Sequence, residues 1–226
     1  MYKCNFRALG RVRTNTAVPD IGTRRELFVD RFLVEKLDGV RLKMHHPRLT
    51  PLEPSQPSGG YATVIVDGGS FRRYDRDSLP DYVGEHFDRN PGEITRYYES
   101  EDGIHWTRPN LGQVEYRGSR DNNYPRGSAV TTVYDPTDPD PTRRFKSLTR
   151  RPGPECHLLQ PLASDGITWR EVGNKTLKMR KGDEDNFSFS PIDHLFIATL
   201  RHNGGPNGRA VDLATSKDFE SWKHHG

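Results

Sequence analysis

Few residues of this 226-residue chain are of types and spacings that do chemistry by themselves. Asp102, Asp165 and Asp218 recur in one setting, and a carboxylate there could serve as acid, base or ligand. An Asp at the head of a tight turn, however, accepts hydrogen bonds from backbone N–H groups two residues on, so turn capping is the expected role of all three. The adjacent pairs His45-His46 and His224-His225 suggest metal binding, but neighbouring side chains on a strand point to opposite faces and neither pair has Cys or carboxylate partners at ligand spacing. Loop surface is expected for both. Asp135, Asp138 and Asp140 resemble a calcium loop loosely, without its Gly and its distal Glu. Cys4 and Cys156 give neither a disulfide framework nor metal spacing. No metal and no cofactor is expected.

The recurring acids belong to a pentapeptide. Asp102-Gly103-Ile104-His105-Trp106, Asp165-Gly166-Ile167-Thr168-Trp169 and Asp218-Phe219-Glu220-Ser221-Trp222 all read Asp, turn residue, two positions, Trp, and they use all 3 tryptophans of the chain. Self-similarity at a spacing of ~40–50 residues is the sequence mark of propeller blades. Gly supplies the positive φ that a hairpin needs and the Trp buries a large ring. In the last copy Phe219 replaces Gly, so a different turn type is expected and that copy is the weakest of the three.

The strands around each motif follow one order. In the first unit Tyr61–Val66, a turn at Asp67-Gly68-Gly69, Ser70–Tyr74, a polar loop and Ile94–Tyr98 precede Asp102, with a strand expected from Trp106. In the second, Ala129–Tyr134, a Pro/Asp-rich turn to Pro141, Arg144–Leu148 and His157–Leu159 precede Asp165. In the third, Phe187–Phe189, Leu195–Leu200, a Gly-rich loop and Ala210–Leu213 precede Asp218. Four short antiparallel strands per unit make a propeller blade. The expected class is all-β, a β-propeller of the five-bladed type with about three blades present. Residues 1–23 read as an irregular leader and 24–226 as a partial propeller, with approximate blades at 59–112, 120–175 and 183–226. Within the early part, Glu26–Glu35 is apolar-rich, Leu37–Met44 alternates around Asp38-Gly39 as a half-buried hairpin would, and the Pro-rich stretch Pro47–Gly60 must be loop. Because closure needs ~4 blades or more, and three leave raw sheet edges, the sequence is expected to be a fragment of a longer protein.

Composition narrows the function. Hydrophobic residues are 32% and charged residues 29%, with 21 Gly and 17 Pro, a balance that favours short strands and turns over long helices. The 34 basic and 31 acidic residues are interspersed, so no one-sign block tracks a phosphate backbone and nucleic acid is not an expected partner. The spots Arg11-Val12-Arg13, Arg143-Arg144 and Arg150-Arg151 read as solvated loop charge. There is no apolar run of the ~18 residues a membrane helix needs and no secretory h-region near Met1. Neither compartment nor oligomeric state is legible.

Several of these segments resemble a known group. Arg25–Asp30, Tyr98–Gly112, Arg120-Asp121-Asn122-Asn123 and Arg144–Leu148 resemble bacterial glycosyl hydrolase family 32 N-terminal-like proteins, related to the five-bladed propeller glycosidases of families 32 and 43. The resemblance runs from about residue 24 onward and implies action on glycosidic bonds of an oligo- or polysaccharide. It implies carboxylates at the starts of the innermost strands, one protonating the departing oxygen and another attacking or activating water. Arg120-Asp121 resembles the pair that holds sugar hydroxyls and stabilises the transition state. Asp183-Glu184-Asp185 stands where the acid belongs. Asp121, Asp183 and Glu184 are thus the implied catalytic residues, and Arg120, Asn122, Asp185 and Arg201 the implied substrate-binding ones. The first unit departs from the pattern, since Glu53 in the Pro-rich loop is the only carboxylate where the enzymes carry a nucleophile or base. A carbohydrate-binding propeller without turnover, or an inactive fragment, is the alternative.

Overall fold

The computed structural model describes residues 20–23, 27, 31, 33–49, 51, 55–57, 60–84, 90–127, 131–150, 156–161, 165–177, 185–205 and 208–225. The chain forms two compact units, Met1–Pro51 and Leu52–Gly226.

In the first unit the described residues form turns and extended chain. Asp20 Oδ1 accepts the Gly22 N–H at 2.8 Å, and the Val34 N–H donates to the Arg31 carbonyl at 3.1 Å. The hairpin expected over Leu37–Met44 is not formed. Gly39 does take the left-handed turn conformation, yet no strand flanks it, and Val40 and Met44 are exposed to 66% and 90%. A lone two-stranded hairpin is marginal in water without a third strand or a covering layer, and alternation alone supplies neither. Most of the expected leader lies outside the described residues, as do 26, 28–30 and 32 of the apolar-rich segment.

The second unit is all-β. Among its described residues the only helical turn is a 3-10 turn at Pro141–Arg143, and the strands form three antiparallel sheets. The first sheet runs β1 (Gly60–Asp67), β2 (Ser70–Ser78), β3 (Glu93–Ser100). Gly68 and Gly69 both have positive φ, as a two-residue hairpin loop of the I′ kind requires. The second sheet runs β4 (Val133–Tyr134), β5 (Phe145–Arg150), β6 (Cys156–Pro161), β7 (Trp169–Leu177). In the third, β8 (Asn186–Ser190), β9 (Leu195–Gly205), β10 (Gly208–Ser216) and β11 (Lys223–His224) follow one another across the sheet. The strand expected from Trp106 shrinks to a single bridge, Thr107 to Glu99. Beyond it the chain turns away as a loop around a small core of Leu79, Tyr82, Ile94, Val114 and Tyr124. Pairing to β3 stops after that bridge because Asn123 occupies the N–H and carbonyl of Tyr97, the next groups along β3.

The motif turns are built alike. Ser100 Oγ accepts the N–H groups of Asp102 and Gly103, while Asp102 Oδ1 accepts those of Ile104 and His105, both at 2.8 Å. Ser216 and Asp218 repeat this on Asp218, Phe219, Glu220 and Ser221. Asp165 Oδ1 accepts from Ile167 in the second copy. The expectation of a different turn at Phe219 is therefore corrected: its φ is 64°, beside 74° at Gly103 and 67° at Gly166. A left-handed backbone costs a side chain about 1–2 kcal/mol, and Phe219 offsets that by burying its ring completely. It packs on Phe196, Phe187 and Trp222 with centroids 5.1–5.9 Å away.

A second repeat runs through the sheets. Phe71, Phe145 and Phe196 each sit near the start of their sheet's second strand, opposite Val66, Tyr134 and Phe189 of the first. The residue after the first two is basic. Arg72 of the first sheet lies over the Phe145 ring of the second at 5.2 Å, and Lys146 of the second lies over Phe196 of the third at 5.4 Å. Tyr74 adds a hydrogen bond to the Gly166 carbonyl at 3.0 Å. Ile65, Tyr74, Tyr97, Phe145 and Trp169 form the core between the first two sheets. Val133, Leu148, Phe196, Ala198, Leu200, Ala214 and Phe219 form the one between the second and third. Successive sheets thus stack face to face through equivalent positions.

Candidate functional site

The first strands of the three sheets wall one pocket. Thr63–Val66 of β1, Thr132–Tyr134 with Pro136, and Phe187–Phe189 of β8 with Pro191 surround a volume of about 320 Å³. Its wall offers hydroxyls from Thr63, Thr132, Tyr134 and Ser188 and aromatic surface from Phe187 and Phe189. None of the described residues lining it is an Asp or Glu.

Of the residues implied by resemblance, Arg120, Asp121 and Asn122 lie in the loop ahead of β4, Asp185 directly precedes β8, and Arg201 lies within β9. Ahead of β4, the Arg120–Asn123 turn is held from both sides. Asn122 and Asn123 are buried, and their amides donate to the Val114 and Tyr97 carbonyls. The Asn122 carbonyl accepts from Leu111, and that of Asn123 from Tyr97. Buried amides must find such partners, because an unmade hydrogen bond costs ~1–3 kcal/mol. Asn122 is thus occupied in fixing the loop. Asp121, beside it, is exposed; its N–H donates to Ser119 Oγ at 3.1 Å and its carbonyl accepts from Arg108. Arg120 is also exposed and stands 3.5 Å from Glu115. The loop is anchored by hydrogen bonds where it is buried and leaves Asp121 and Arg120 exposed.

Ahead of β8, Asp185 Oδ1 accepts the backbone N–H of Arg201 at 3.3 Å, which ties the entry of β8 to β9, and both side chains are half-buried. The structure thus brings Asp185 and Arg201 together. Asp183, Glu184 and Glu53 lie outside the described residues. The nearest described part of the Pro-rich loop does pack: Ser55 Oγ accepts the Trp106 N–H at 3.4 Å and the Pro57 carbonyl accepts from Arg73 at 3.3 Å.

The Asp135–Asp140 turn shows why its likeness to a calcium loop is only loose. Asp135 and Asp140 each spend an oxygen on the N–H and hydroxyl of Thr137 and Thr142. The cation among them is Lys146 Nζ, 2.9 Å from Asp138 and 3.8 Å from Asp135, with its side chain exposed to only 2%. This pairing holds the Asp138 carboxyl below the usual aspartate range: burial opposes the shift, and the Lys146 hydrogen bond and charge outweigh it. Among the described residues no group of three or more His, Cys, Asp or Glu side chains is placed to hold a metal ion, and no helix is long and apolar enough to cross a membrane.

Sequence reasoning missed the charged groups inside the first sheet. Arg72 donates to Asp67 at 3.1 Å, to the Tyr97 hydroxyl at 3.2 Å and to the Asp165 carbonyl. Asp75 is 1% exposed and pairs with Arg73 at 2.6 Å, and Asp77 pairs with Arg96. The alternation of charge in Arg72-Arg73-Tyr74-Asp75-Arg76-Asp77 was the available signal. It puts Arg72 on one face of β2 and Arg73, Asp75 and Asp77 on the other.

No family model matches the chain. The chain is 31% identical over 153 residues to the uncharacterized protein Rv1502 of Mycobacterium tuberculosis strain H37Rv, covering 66% of this chain and 47% of that protein. It is 26% identical over 155 residues to the uncharacterized protein MT1551 of strain CDC 1551, with the same coverage. The chain therefore spans about half the length of the curated relatives it matches. Among solved structures it is similar to an N-acetylgalactosamine deacetylase from F. plautii in complex with blood group B trisaccharide, with 17% identity, TM-score 0.46, and coverage of 77% of this chain and 56% of that one. Fructan 1-exohydrolase IIa from Cichorium intybus, in complex with 1-kestose, is similar at 15% identity and TM-score 0.44, over 75% of this chain and 32% of that one. A protein named glycoside hydrolase is similar at 12% identity and TM-score 0.41, over 75% and 58%.

Proposed function

We propose that this chain is part of a β-propeller that acts on carbohydrate in the manner of the five-bladed glycosidases. The supporting observation is that β1, β4 and β8, the first strands of three successive sheets, wall a common pocket. Arg120-Asp121 lies in the loop ahead of β4, and Asp183-Glu184-Asp185 immediately precedes β8 in the sequence. Hydrolysis needs a carboxyl group that protonates the glycosidic oxygen as it leaves and a second that attacks the sugar or activates water. In this reading Asp183 or Glu184 supplies the proton, Arg120 and Asp121 hold sugar hydroxyls and stabilise the transition state, and Glu53 is the carboxylate available from the first unit. Asn122 keeps the Asp121 turn in place, and Asp185 with Arg201 fixes the entry of β8.

A second reading, a carbohydrate-binding propeller without turnover, is favoured by the pocket wall, whose described residues offer hydroxyls and rings but no carboxylate. Release of reducing sugar from a panel of oligo- and polysaccharides separates the two. The glycosidase reading expects release by the unchanged protein and loss of it in Asp121→Asn; release that survives the substitution removes Asp121 from the mechanism. Saturable heat of glycan binding with no sugar released identifies the binding protein.

A further inference from the structure

Tyr61, near the start of β1, holds a backbone that its residue type disfavours. Its φ is 53°, in the left-handed region where a bulky side chain is an outlier. The pairing of β1 with β2 slips by one residue here: Gly60 stands against Arg76 and Thr63 against Tyr74, so Tyr61 and Ala62 share Asp75. A bulge of this kind re-aims a side chain. The re-aimed ring does not enter a core, since Tyr61 is exposed to 60%. The Arg76 guanidinium lies over one face of it, 4.2 Å from the centroid, so the exposure belongs to the other face and the edge. The level of Tyr61 follows from the repeating Phe positions. Asp75 and Arg76 come four and five residues after Phe71, as Leu200 and Arg201 come four and five after Phe196. Asn186 pairs with Thr199, which sets Asp185 against Leu200. Tyr61 thus stands at the level of Asp185, and Arg76 at that of Arg201, at the end where the chain enters the first strands.

We infer that Tyr61 is the stacking platform of the proposed carbohydrate site, a role that rests on that reading, and that the ring face not covered by Arg76 takes the C–H face of a pyranose. A pyranose chair presents a flat face of axial C–H groups about the size of a phenol ring, and a furanose does not. A strained residue persists only where its surroundings over-determine it, and such residues cluster at ligand sites. With Arg76 under the ring, Tyr61 loses little freedom when a sugar binds, which favours affinity.

The test uses the 226-residue chain labelled with ¹³C-tyrosine and titrated with cellotriose, maltotriose and xylotriose, and with inulotriose as the furanose counterpart. The Tyr61 ring signal is the one missing from the spectrum of Tyr61→Phe. The expected result is a saturable shift of that signal with a pyranose trisaccharide and not with inulotriose. Binding of that trisaccharide, read by calorimetry, persists in Tyr61→Phe and weakens about tenfold in Tyr61→Gly, the weight of burying one sugar face. The urea midpoint of Tyr61→Gly stays level or rises, because glycine takes the left-handed backbone without strain. A lower midpoint would mean that the chain itself packs on the ring, and overturns the inference. Pyranose binding that leaves the Tyr61 signal unmoved or survives Tyr61→Gly, or an equal shift with inulotriose, overturns it while the carbohydrate reading stands. Absence of binding to all three pyranose probes overturns it too, and the panel of oligo- and polysaccharides above then decides whether the carbohydrate reading falls with it.

Discussion

Phe219 and Gly103 occupy the same left-handed turn position, at φ of 64° and 74°, although only one of them lacks a Cβ. The turn is dictated by the Ser and Asp hydrogen bonds around it and not by glycine. What the position demands of its side chain is set by the core beneath. Phe219→Gly relieves about 1–2 kcal/mol of backbone strain and removes a fully buried ring worth about 3–5 kcal/mol. The ring wins, so urea denaturation should show a net loss of about 1–4 kcal/mol.

The same position in the second copy is intolerant for the opposite reason. A Cβ on Gly166 would stand 2.9 Å from both the Phe145 ring and the Tyr74 hydroxyl, whereas on Gly103 it would meet Phe71 at 3.3 Å. Gly166→Ala should therefore destabilise by about 1–3 kcal/mol more than Gly103→Ala, read as the difference between their thermal or urea midpoints.

Lys146 is the buried link between the second and third sheets. Lys146→Met keeps most of the volume but takes from the Asp138 carboxylate its buried cation, leaving Arg143 at 3.6 Å and the Asp140 N–H, so the cost should fall below the about 3–5 kcal/mol of a fully unpaired buried charge. Adding Asp138→Asn should restore part of the loss, since the carboxylate that lost its buried cation is then neutral; a double-mutant cycle measures the coupling.

Acid should act through the turn aspartates. Backbone N–H groups of Ser221 and Glu220 outweigh the burial that opposes them and depress Asp218, and Lys146 depresses Asp138. Asp102 is depressed first by the His105 ring and then by the N–H groups of His105 and Ile104. A depressed folded pKa gives stability that is present above the unfolded value of about 3.9 and lost as pH falls through the folded one. Urea midpoints should hold until about pH 4 and fall below it, and Asp218→Asn should flatten that fall.

In the Arg120–Asn123 turn, neighbours should separate by role. Asn122→Ala leaves buried carbonyl and amide groups unpaired and should cost about 1–3 kcal/mol. Asp121→Asn should leave the denaturation midpoint unchanged, because the carboxylate is exposed and both backbone contacts of Asp121 persist. A matched loss of stability in the two variants would make Asp121 structural.

Much of the strand order could be read from the chain because it rests on local rules. The motif Asp and the Gly-Gly turn after Asp67 each act over a few residues. Where the expectation failed, a longer-range fact intervened. Leu37–Met44 has the alternation of a strand, but among the described residues of its unit no strand or layer covers it. Trp106 has the motif of a strand start, but after one bridge Asn123, from further along the chain, takes the backbone groups of Tyr97 on β3. The equivalence of Phe71, Phe145 and Phe196 was present in the sequence and unread, because one ring followed by Arg, Lys and Ile has no pattern until the sheets are stacked.

The sequence by itself determined an all-β chain with three copies of one capped turn, since hydrogen bonding within five residues and side-chain period need no knowledge of the rest. Only the tertiary structure decided what each copy packs against: Phe219 is tolerated at a glycine position, Lys146 takes the place of a metal among aspartates, and Asn122 is spent on backbone. Those outcomes depend on which groups from distant strands arrive within hydrogen-bond or van der Waals reach, and stacking sheet on sheet sets that.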